Sequence, residues 1–497
     1  MPDERSTLDQ SLERSVRVLR RPLEPLALVV GWARENPDRA GEVALIDREQ
    51  IFGRGGQRPE DGAERVRFQQ QRPGTRRFTE PFESLRVSRL QLRLVPHGDV
   101  LAVESIGVCP LLVNGERVER AEVKPGDTLQ LERVMVFLVA RRPDPMPELA
   151  SLRLGGEVAF GAADPFGFVG ETPAAWMLRD RLAFAANAGE HVLVHGESGT
   201  GKELCAAAIH ALSPRGQRPL VARNAATFPA GLVDAELFGN AKNYPNPGAA
   251  DREGLIGEAD GTTLFLDEIG ELPAALQAHL LRVLDRKGEY QRLGESRTRF
   301  ADLHVVAATN RALGELKHDF AARFALKVEV PPLSARTADI PLLVRHLLGR
   351  VAAGNDEVRR RFFEAPRVTD PKGPSVRPEL SGDRLVPRVA PALIDRLLRH
   401  TFRTNTRELA QILWQALAES PGDTIELTGG IEQRFAEAAP ARAADAIGRA
   451  QIETALAAAE GNVTRAARVL GVKNRFVLYR LMKKLGVAAN DGPDDGE

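Results

Sequence analysis

The stretch Gly196-Glu197-Ser198-Gly199-Thr200-Gly201-Lys202-Glu203 leaves this chain few architectures to adopt. It follows an apolar, β-branched run, His191-Val192-Leu193-Val194-His195. It leads into Leu204-Cys205-Ala206-Ala207-Ala208-Ile209, so strand, tight loop and helix are predicted. Glycines let the backbone wrap a polyphosphate, loop N–H groups and the helix N-terminus donate to it, and Lys202 adds a positive charge. The spacing fits the phosphate-binding pattern G-x-x-x-x-G-K, with Glu203 where a Ser or Thr normally reaches magnesium. The rival, a glycine-rich turn with no ligand, is weighed by whether an acidic strand follows. One does: Thr262-Thr263-Leu264-Phe265-Leu266-Asp267-Glu268 is a short strand-forming run ending in two carboxylates. Behind a P-loop, Asp267 reads as the magnesium holder and Glu268 as the residue that polarises the attacking water. The expected ligands are a nucleotide and magnesium.

The 497 residues suggest about three domains. Lys plus Arg, 68, equals Asp plus Glu, 68, so net charge says nothing about a nucleic-acid partner and only local charge can. Cys109 and Cys205 lie far apart with no C-x-x-C spacing, which argues against a disulfide framework or zinc site and fits a reducing cytoplasm. The longest N-terminal apolar run, Leu26-Ala27-Leu28-Val29-Val30, is far below a spanning length. The expectation is a soluble, cytoplasmic protein with no signal peptide and no membrane partner.

Residues 1–40 alternate charge with short apolar runs and receive no role. From Gly41 to Arg141 short β-rich runs take over, among them Val43 to Ile46, Leu90 to Val95, Val100 to Val103 and Val134 to Val139. Asn114-Gly115 and Pro125-Gly126-Asp127 punctuate them, and this rhythm predicts a β-sandwich over 41–141. Gly53-Arg54, Ser88-Arg89, Val113-Asn114-Gly115 and Gly126-Asp127 resemble the forkhead-associated domain, the phosphothreonine-reading module. That resemblance makes Arg54, Ser88 and Arg89 candidate phosphopeptide contacts, and an Arg beside a hydroxyl suits a phosphate dianion. The chain departs from the family at Gln91, where a histidine is expected, and at Ile106, where an asparagine grips the peptide backbone. Two readings stand: a reader of phosphothreonine proteins, or a plain sandwich making protein contacts.

Pro143, Pro145 and Pro147 mark a linker over 142–164. A nucleotide domain is placed at 165–420, its α/β core reaching about 350 and its helical lid starting at about 388. Within it, Gly196 to Glu203, Glu236-Leu237-Phe238-Gly239, Leu264 to Leu272, Ala307 to Asn310, Pro331-Pro332-Leu333 and Asn405-Thr406-Arg407-Glu408-Leu409 occur in order. This set resembles the AAA+ domain of bacterial enhancer-binding proteins, the ATP-driven activators of sigma-54 RNA polymerase, over 168–419. The resemblance implies that Asn224 restrains Glu268 until the partner is engaged. It implies also that Asn310, after Thr309, reads the γ-phosphate and that Arg407 is the lid's sensor arginine. Arg323 falls on one arginine-finger position, supplied across a subunit boundary in a hexameric ring, and Lys317 holds the other. The family's partner loop, Gly-Ala-Phe-Thr-Gly-Ala, touches sigma-54 with its aromatic and its threonine. Here the loop reads Asn243-Tyr244-Pro245-Asn246-Pro247-Gly248-Ala249, one residue longer and without threonine. Pro245 and Pro247 predict a stiff tip, with Tyr244 as a displaced aromatic contact and its hydroxyl or Asn246 as the polar substitute.

The Arg-, Pro- and Gly-rich stretch from Val351 to Pro391, with Arg359-Arg360-Arg361, reads as a solvated loop extending the join between core and lid. A second linker is placed at 421–442. Over 443–487, Ile452, Leu456 and Ala459 form a helical stripe, Gly461-Asn462 breaks it, and Val463 to Leu470 and Arg475 to Leu485 form helices either side of Gly471. From Gly461 to Val487 every charged residue is basic, as phosphate binding requires. Gly461 to Ala467 and Leu478-Tyr479-Arg480 resemble the Fis-type DNA-binding domain. Arg465, Lys473, Asn474, Arg475, Tyr479 and Arg480 are the candidate DNA contacts, and 488–497 is an acidic tail. The expected chain is multidomain: a forkhead-associated-like β-sandwich, an α/β P-loop AAA+ core with helical lid, and an all-α helix-turn-helix. The function this implies is an ATP-dependent transcriptional regulator that binds DNA and hydrolyses ATP in a ring to remodel RNA polymerase holoenzyme. The alternative is a DNA-bound ATP-binding regulator, or a remodelling ATPase acting on a partner other than sigma-54.

Overall fold

A computed structural model describes residues 24–55, 64–153, 158–229, 231–285, 288–364, 386–438 and 449–459, together with Asn462, Val463, Arg465, Ala466, Leu470, Leu478, Tyr479, Met482 and Val487. The chain divides into two compact units: Met1–Trp414 with Gly422–Glu426, and Gln415–Pro421 with Leu427–Glu497.

The first unit opens with a sandwich of two sheets. In one, the order is Glu116–Val118, Leu111–Val113, Thr128–Leu131, Met135–Arg141, Leu26–Ala33, Val43–Ile46, Gln69–Arg72 and Thr75–Phe78; in the other, Arg120–Val123, Val100–Ser105, Leu92–His97, Gln50–Phe52 and Glu64–Arg65. Between them lie the rings of Phe52, Phe68, Phe82 and Phe137, with neighbouring centroids 5.1 to 6.2 Å apart. Asn114 and Gly115, both at positive φ (51° and 85°), make the two-residue turn that their pairing predicts.

The sandwich begins at Leu26, not at Gly41. Leu26–Ala33 is a central strand, antiparallel to both Met135–Arg141 and Val43–Ile46, with all eight residues buried. Leu26, Leu28 and Val30 face the sandwich core, while a bulge at Gly31 lets the other face lie against Leu398 of the helix Pro391–Leu398. A strand covered on both faces loses its alternation and reads as an undirected apolar run.

Further along the chain, five parallel strands form the α/β core, in the order Val221–Asn224, Thr263–Asp267, His304–Thr309, Val192–His195 and Leu326–Glu329. Successive residues feed opposite layers: Leu264, Leu266, Val305 and Ala307 face one apolar cluster, and Phe265, Val306, Ala308, Val192 and Val194 the other. The helices Pro173–Asn187 and Lys202–Leu212 cover the second cluster. Thr172 caps the former through its side chain.

Three connecting segments are more ordered than their sequence suggests. The 142–164 stretch packs Met146 and Leu152 against Trp176 and Ala183. The 351–391 stretch, expected as a loop, continues the helix Ile340–Gly354 and adds the helix Asp356–Phe362, capped by Asn355. Phe363–Glu364 then pairs with Val386–Pro387, and 365–385 lies outside the described residues. Within 421–442, Gly429–Ala438 is a helix that buries Ile431 and Phe435, a spacing of four that its two leading glycines disguised.

Sandwich and core are bolted together inside the first unit. Arg72 makes a two-pronged pair with Glu171, at 3.0 and 2.5 Å, and donates to the carbonyls of Val158 and Ala159. Glu171 also accepts from Trp176 Nε1, and Asp339 accepts from the Glu171 and Thr172 N–H groups. A second bond joins the sandwich to the lid: Thr128 Oγ1 donates to buried Asp395 at 2.5 Å.

In the second unit, the helix Arg449–Ala458 contributes Ile452 and Ala455 to a small apolar core with Ala459, Val463, Ala466, Leu478 and Met482. No helix among the described residues is long and apolar enough to cross a membrane.

Candidate active site

In a parallel sheet the carboxyl ends of the strands open onto the ligand crevice, at the point where chain neighbours diverge. Val192–His195 lies between His304–Thr309 and Leu326–Glu329, so the loop that follows it sits at that point. Gly196, Gly199 and Gly201 adopt φ of 157°, 76° and 99°. A Cβ on Gly199 would lie 2.1 Å from the Thr404 carbonyl, so only glycine lets the lid backbone rest on the loop. Lys202 Nζ donates to the carbonyls of Gly196 (3.0 Å) and Glu197 (3.1 Å), which leaves one of its three hydrogens for a phosphate. Thr200 Oγ1 donates to the Glu197 carbonyl at 2.9 Å, Ser198 is half-buried, and Glu203 is exposed in the first helical turn.

Asp267 ends the neighbouring acidic strand, and its Oδ1 accepts the Glu268 N–H at 2.9 Å. Glu268 itself has a φ of 49°, a left-handed conformation costing a non-glycine residue about 1 to 2 kcal/mol. Strain of this kind gathers at functional positions. Asn224, expected to restrain Glu268, instead places Nδ2 3.5 Å from Asp267 Oδ2, at the outer limit of a hydrogen bond. The cause is register: parallel pairing sets Asn224 directly opposite Asp267.

The strand His304–Thr309 brings up buried Thr309, whose hydroxyl accepts the Arg311 N–H, and exposed Asn310 follows it. From the lid, Arg407 Nη1 donates to Ser198 Oγ at 3.1 Å, and Thr406 N–H donates to the Gly199 carbonyl at 3.2 Å. Asn405, quoted in the sequence but given no role, donates to the loop at both Glu197 and Ser198; its left-handed φ of 48° is the backbone signature that sequence alone does not print. Arg323 is brought to no P-loop group among the described residues; half-exposed at the end of the helix His318–Ala322, it pairs with Asp285. Exposed Lys317 stands at the start of that helix. Burial in the P-loop helix pushes the Cys205 thiol up to about 12, which makes it a packing residue.

The divergent loop is a closed turn. Asn243, at φ 64°, accepts the Gly248 N–H, and its own N–H donates to the Ala249 carbonyl. Buried Asn240 donates to the carbonyls of Ala241, Tyr244 and Ala250, an organising role that the sequence did not reveal. Tyr244, Pro245, Asn246, Pro247 and Gly248 are all exposed, and one side of the Tyr244 ring lies on Gly294, where a Cβ would come within 2.4 Å of it. Gly294 belongs to the hairpin that pairs Glu289–Tyr290 with Arg299–Phe300.

At the sandwich end, the Arg54 N–H donates to the Ser88 carbonyl, which sets the two residues side by side, and Arg89 is exposed. Gln91 does structural work in the histidine's place: its amide oxygen accepts the Ser88 and Cys109 N–H groups and its nitrogen donates to the Cys109 carbonyl. Of the candidate DNA contacts, Arg465 and Tyr479 are exposed; Lys473, Asn474, Arg475 and Arg480 lie outside the described residues.

Residues 168–331 match the family described as the sigma-54 interaction domain, and residues 445–485 match the bacterial regulatory protein, Fis family. The transcriptional regulatory protein ZraR of Salmonella typhimurium is 34% identical over 342 residues, covering 66% of this chain and 71% of ZraR. The Nif-specific regulatory protein of Azotobacter vinelandii is 37% identical over 330 residues, covering 63% of this chain and 58% of that protein. Among solved structures, NtrX from Brucella abortus in complex with ATP is 26% identical, with a TM-score of 0.43, over 64% of this chain and 69% of that one.

Proposed function

Because the chain belongs to the family of sigma-54-dependent transcriptional regulators, in which an AAA+ ATPase is joined to a Fis-type DNA-binding helix-turn-helix, we propose that the crevice at the carboxyl ends of its parallel sheet is the ATPase centre. The observation that carries this reading is convergence: the P-loop, Asp267-Glu268, Thr309-Asn310 and the lid's Arg407 arrive from four separate segments at one end of one sheet. Gly196 to Lys202 hold the polyphosphate through loop N–H groups and the Lys202 ammonium. Asp267 fits a magnesium ion, which keeps several waters and needs only one or two carboxylates beside the phosphates. Glu203 offers no hydroxyl there, so Asp267 is the chain's main contribution. Magnesium supplies charge neutralisation on the phosphates. Glu268 orients the attacking water, and Asn224 restrains it indirectly, through Asp267.

Arg323 acts in a neighbouring subunit of a ring, where a trans arginine is worth about 10³ to 10⁵ in rate. Ring turnover remodels RNA polymerase holoenzyme through the loop Asn243 to Gly248, while the C-terminal unit holds DNA. The sandwich reads phosphothreonine through Arg54 and Ser88, with Arg89 at the rim. A second reading, that the motor acts on a partner other than sigma-54, is favoured by one feature: one side of the Tyr244 ring rests on Gly294, so only part of it faces outward.

The test is hydrolysis and binding measured together. Lys202→Ala is expected to lose ATP binding, whereas Glu268→Gln keeps binding and loses turnover. Wild-type affinity and turnover in both variants would refute the site. Open-complex formation with sigma-54 holoenzyme on supercoiled template separates the two partner readings.

A further inference from the structure

Asn405 is 1% exposed and joins three segments that are remote in sequence. Its Oδ1 accepts the Leu333 N–H at 2.7 Å, and its Nδ2 donates to Glu197 Oε2 and to the Ser198 carbonyl, each at 3.0 Å. Three of the four hydrogen bonds an Asn side chain can make are thus used, and each runs from the head of the lid helix Asn405–Glu419 to the body beneath. The backbone alongside is equally committed. Thr404 presses its carbonyl on Gly199, and Thr406 donates to Gly199.

Glu197 is what makes this arrangement consequential. It is an anion within the very loop whose N–H groups and lysine must receive an anion. Its carbonyl already anchors Thr200 and Lys202, so its backbone cannot swing away. Left free, its carboxylate would compete with phosphate for the same donors and repel it. We propose that Asn405 is a positioning residue for ATP: a latch by which the lid holds the Glu197 carboxylate out of the phosphate cradle. The proposal rests on reading the P-loop as the ATP site. Its consequence is that lid closure and loop readiness are one event, because the groups that bind the lid down also remove the competing charge.

The test uses the full chain and ATP binding by calorimetry. Asn405→Asp replaces the donor with a second carboxylate facing Glu197, and affinity is expected to fall by at least on the order of tenfold. Lowering the pH towards the carboxylate range should recover part of that loss, because the facing pair can then share a proton. Adding Glu197→Gln restores the bond to residue 197 with roles exchanged, although the Ser198 carbonyl still lacks its donor, so Glu197→Gln/Asn405→Asp is expected to bind more tightly than Asn405→Asp or Asn405→Gly. Asn405→Gly keeps the left-handed backbone while deleting the amide. It should bind weakly, and adding Glu197→Gln should recover part of that affinity, because the charge the latch holds away is then gone. If Asn405→Asp does not fold, the contrast between the double variant and Asn405→Gly decides. Wild-type affinity in Asn405→Gly, or equal weakness in Asn405→Gly and Glu197→Gln/Asn405→Asp, overturns the latch. A wild-type chain that binds no ATP overturns instead the site reading beneath it.

Discussion

His191 offers a prediction whose size follows from its surroundings. It precedes the P-loop strand, and its Nδ1 accepts the Val305 N–H at 3.0 Å, so the neutral ring carries its proton on Nε2. The ring stacks on His304, with centroids 6.5 Å apart. Burial first, then the charges of His304 and Arg215, lower its pKa from 6.5 to about 4. Protonating Nδ1 would also set a donor against a donor at Val305. Since the folded value lies below the unfolded one, the stabilisation is complete above pH 6.5 and is lost as pH falls towards 4. The whole gap is worth about 3 kcal/mol, and about 2 kcal/mol of it falls between pH 7 and pH 5. His304, also lowered chiefly by burial, acts in the same direction.

The assay is native-state hydrogen exchange of the strand His304–Thr309 in the full chain, corrected for the intrinsic pH dependence of exchange. Protection should fall by about 2 kcal/mol or more on going from pH 7 to pH 5. In His191→Asn, which keeps an acceptor but does not titrate, most of that slope should vanish. An equal slope in both proteins would refute the argument, as would a strand that becomes better protected in acid.

Three further outcomes are expected. A sigma-54 complex trapped with an ATP transition-state analogue should form with the wild-type chain and weaken several-fold in Tyr244→Ala; no wild-type complex defeats the activator reading, and an unchanged complex in the variant defeats the role of Tyr244. Arg475→Ala should weaken DNA binding and reduce the slope of log affinity against log salt by about one, since one phosphate contact is lost; an unchanged salt titration moves DNA recognition elsewhere. Arg54→Ala should abolish any preference for a phosphothreonine peptide over its unphosphorylated form; a wild-type chain with no such preference ends the phosphopeptide reading.

What could be read in advance divides along physical lines. The P-loop and Asp267-Glu268 were legible because their chemistry demands fixed residue types at fixed spacing, next to runs that can only be buried strands. The strand Leu26–Ala33 was not, since the lid helix that covers its outer face comes from more than 350 residues further on and leaves no local mark. The same holds for Asn240 and Asn405, whose work is to satisfy carbonyls and carboxylates brought near by folding. Asn224 shows a different limit: the resemblance singled it out, but the strand Val221–Asn224 was not read from the sequence, and parallel register, which decides between Asp267 and Glu268, is a property of two strands and not of either sequence.

Arg72 and Thr128 lie in the same sheet of the sandwich, yet the first grips Glu171 in the α/β core and the second Asp395 in the lid. A body fastened at two such places is not a bead on a string, and its evolutionary mobility is curtailed accordingly. A recombination junction at Pro143 to Pro147 would remove both fastenings at once, taking Arg72 from Glu171 and Thr128 from Asp395 and leaving Trp176 on the one buried carboxylate and Arg399 on the other. Viable chimaeras that exchange this sandwich for another input module should therefore carry compensating changes at Glu171 and Asp395, far from the seam, and a directed-evolution experiment on such a chimaera should find its suppressors there.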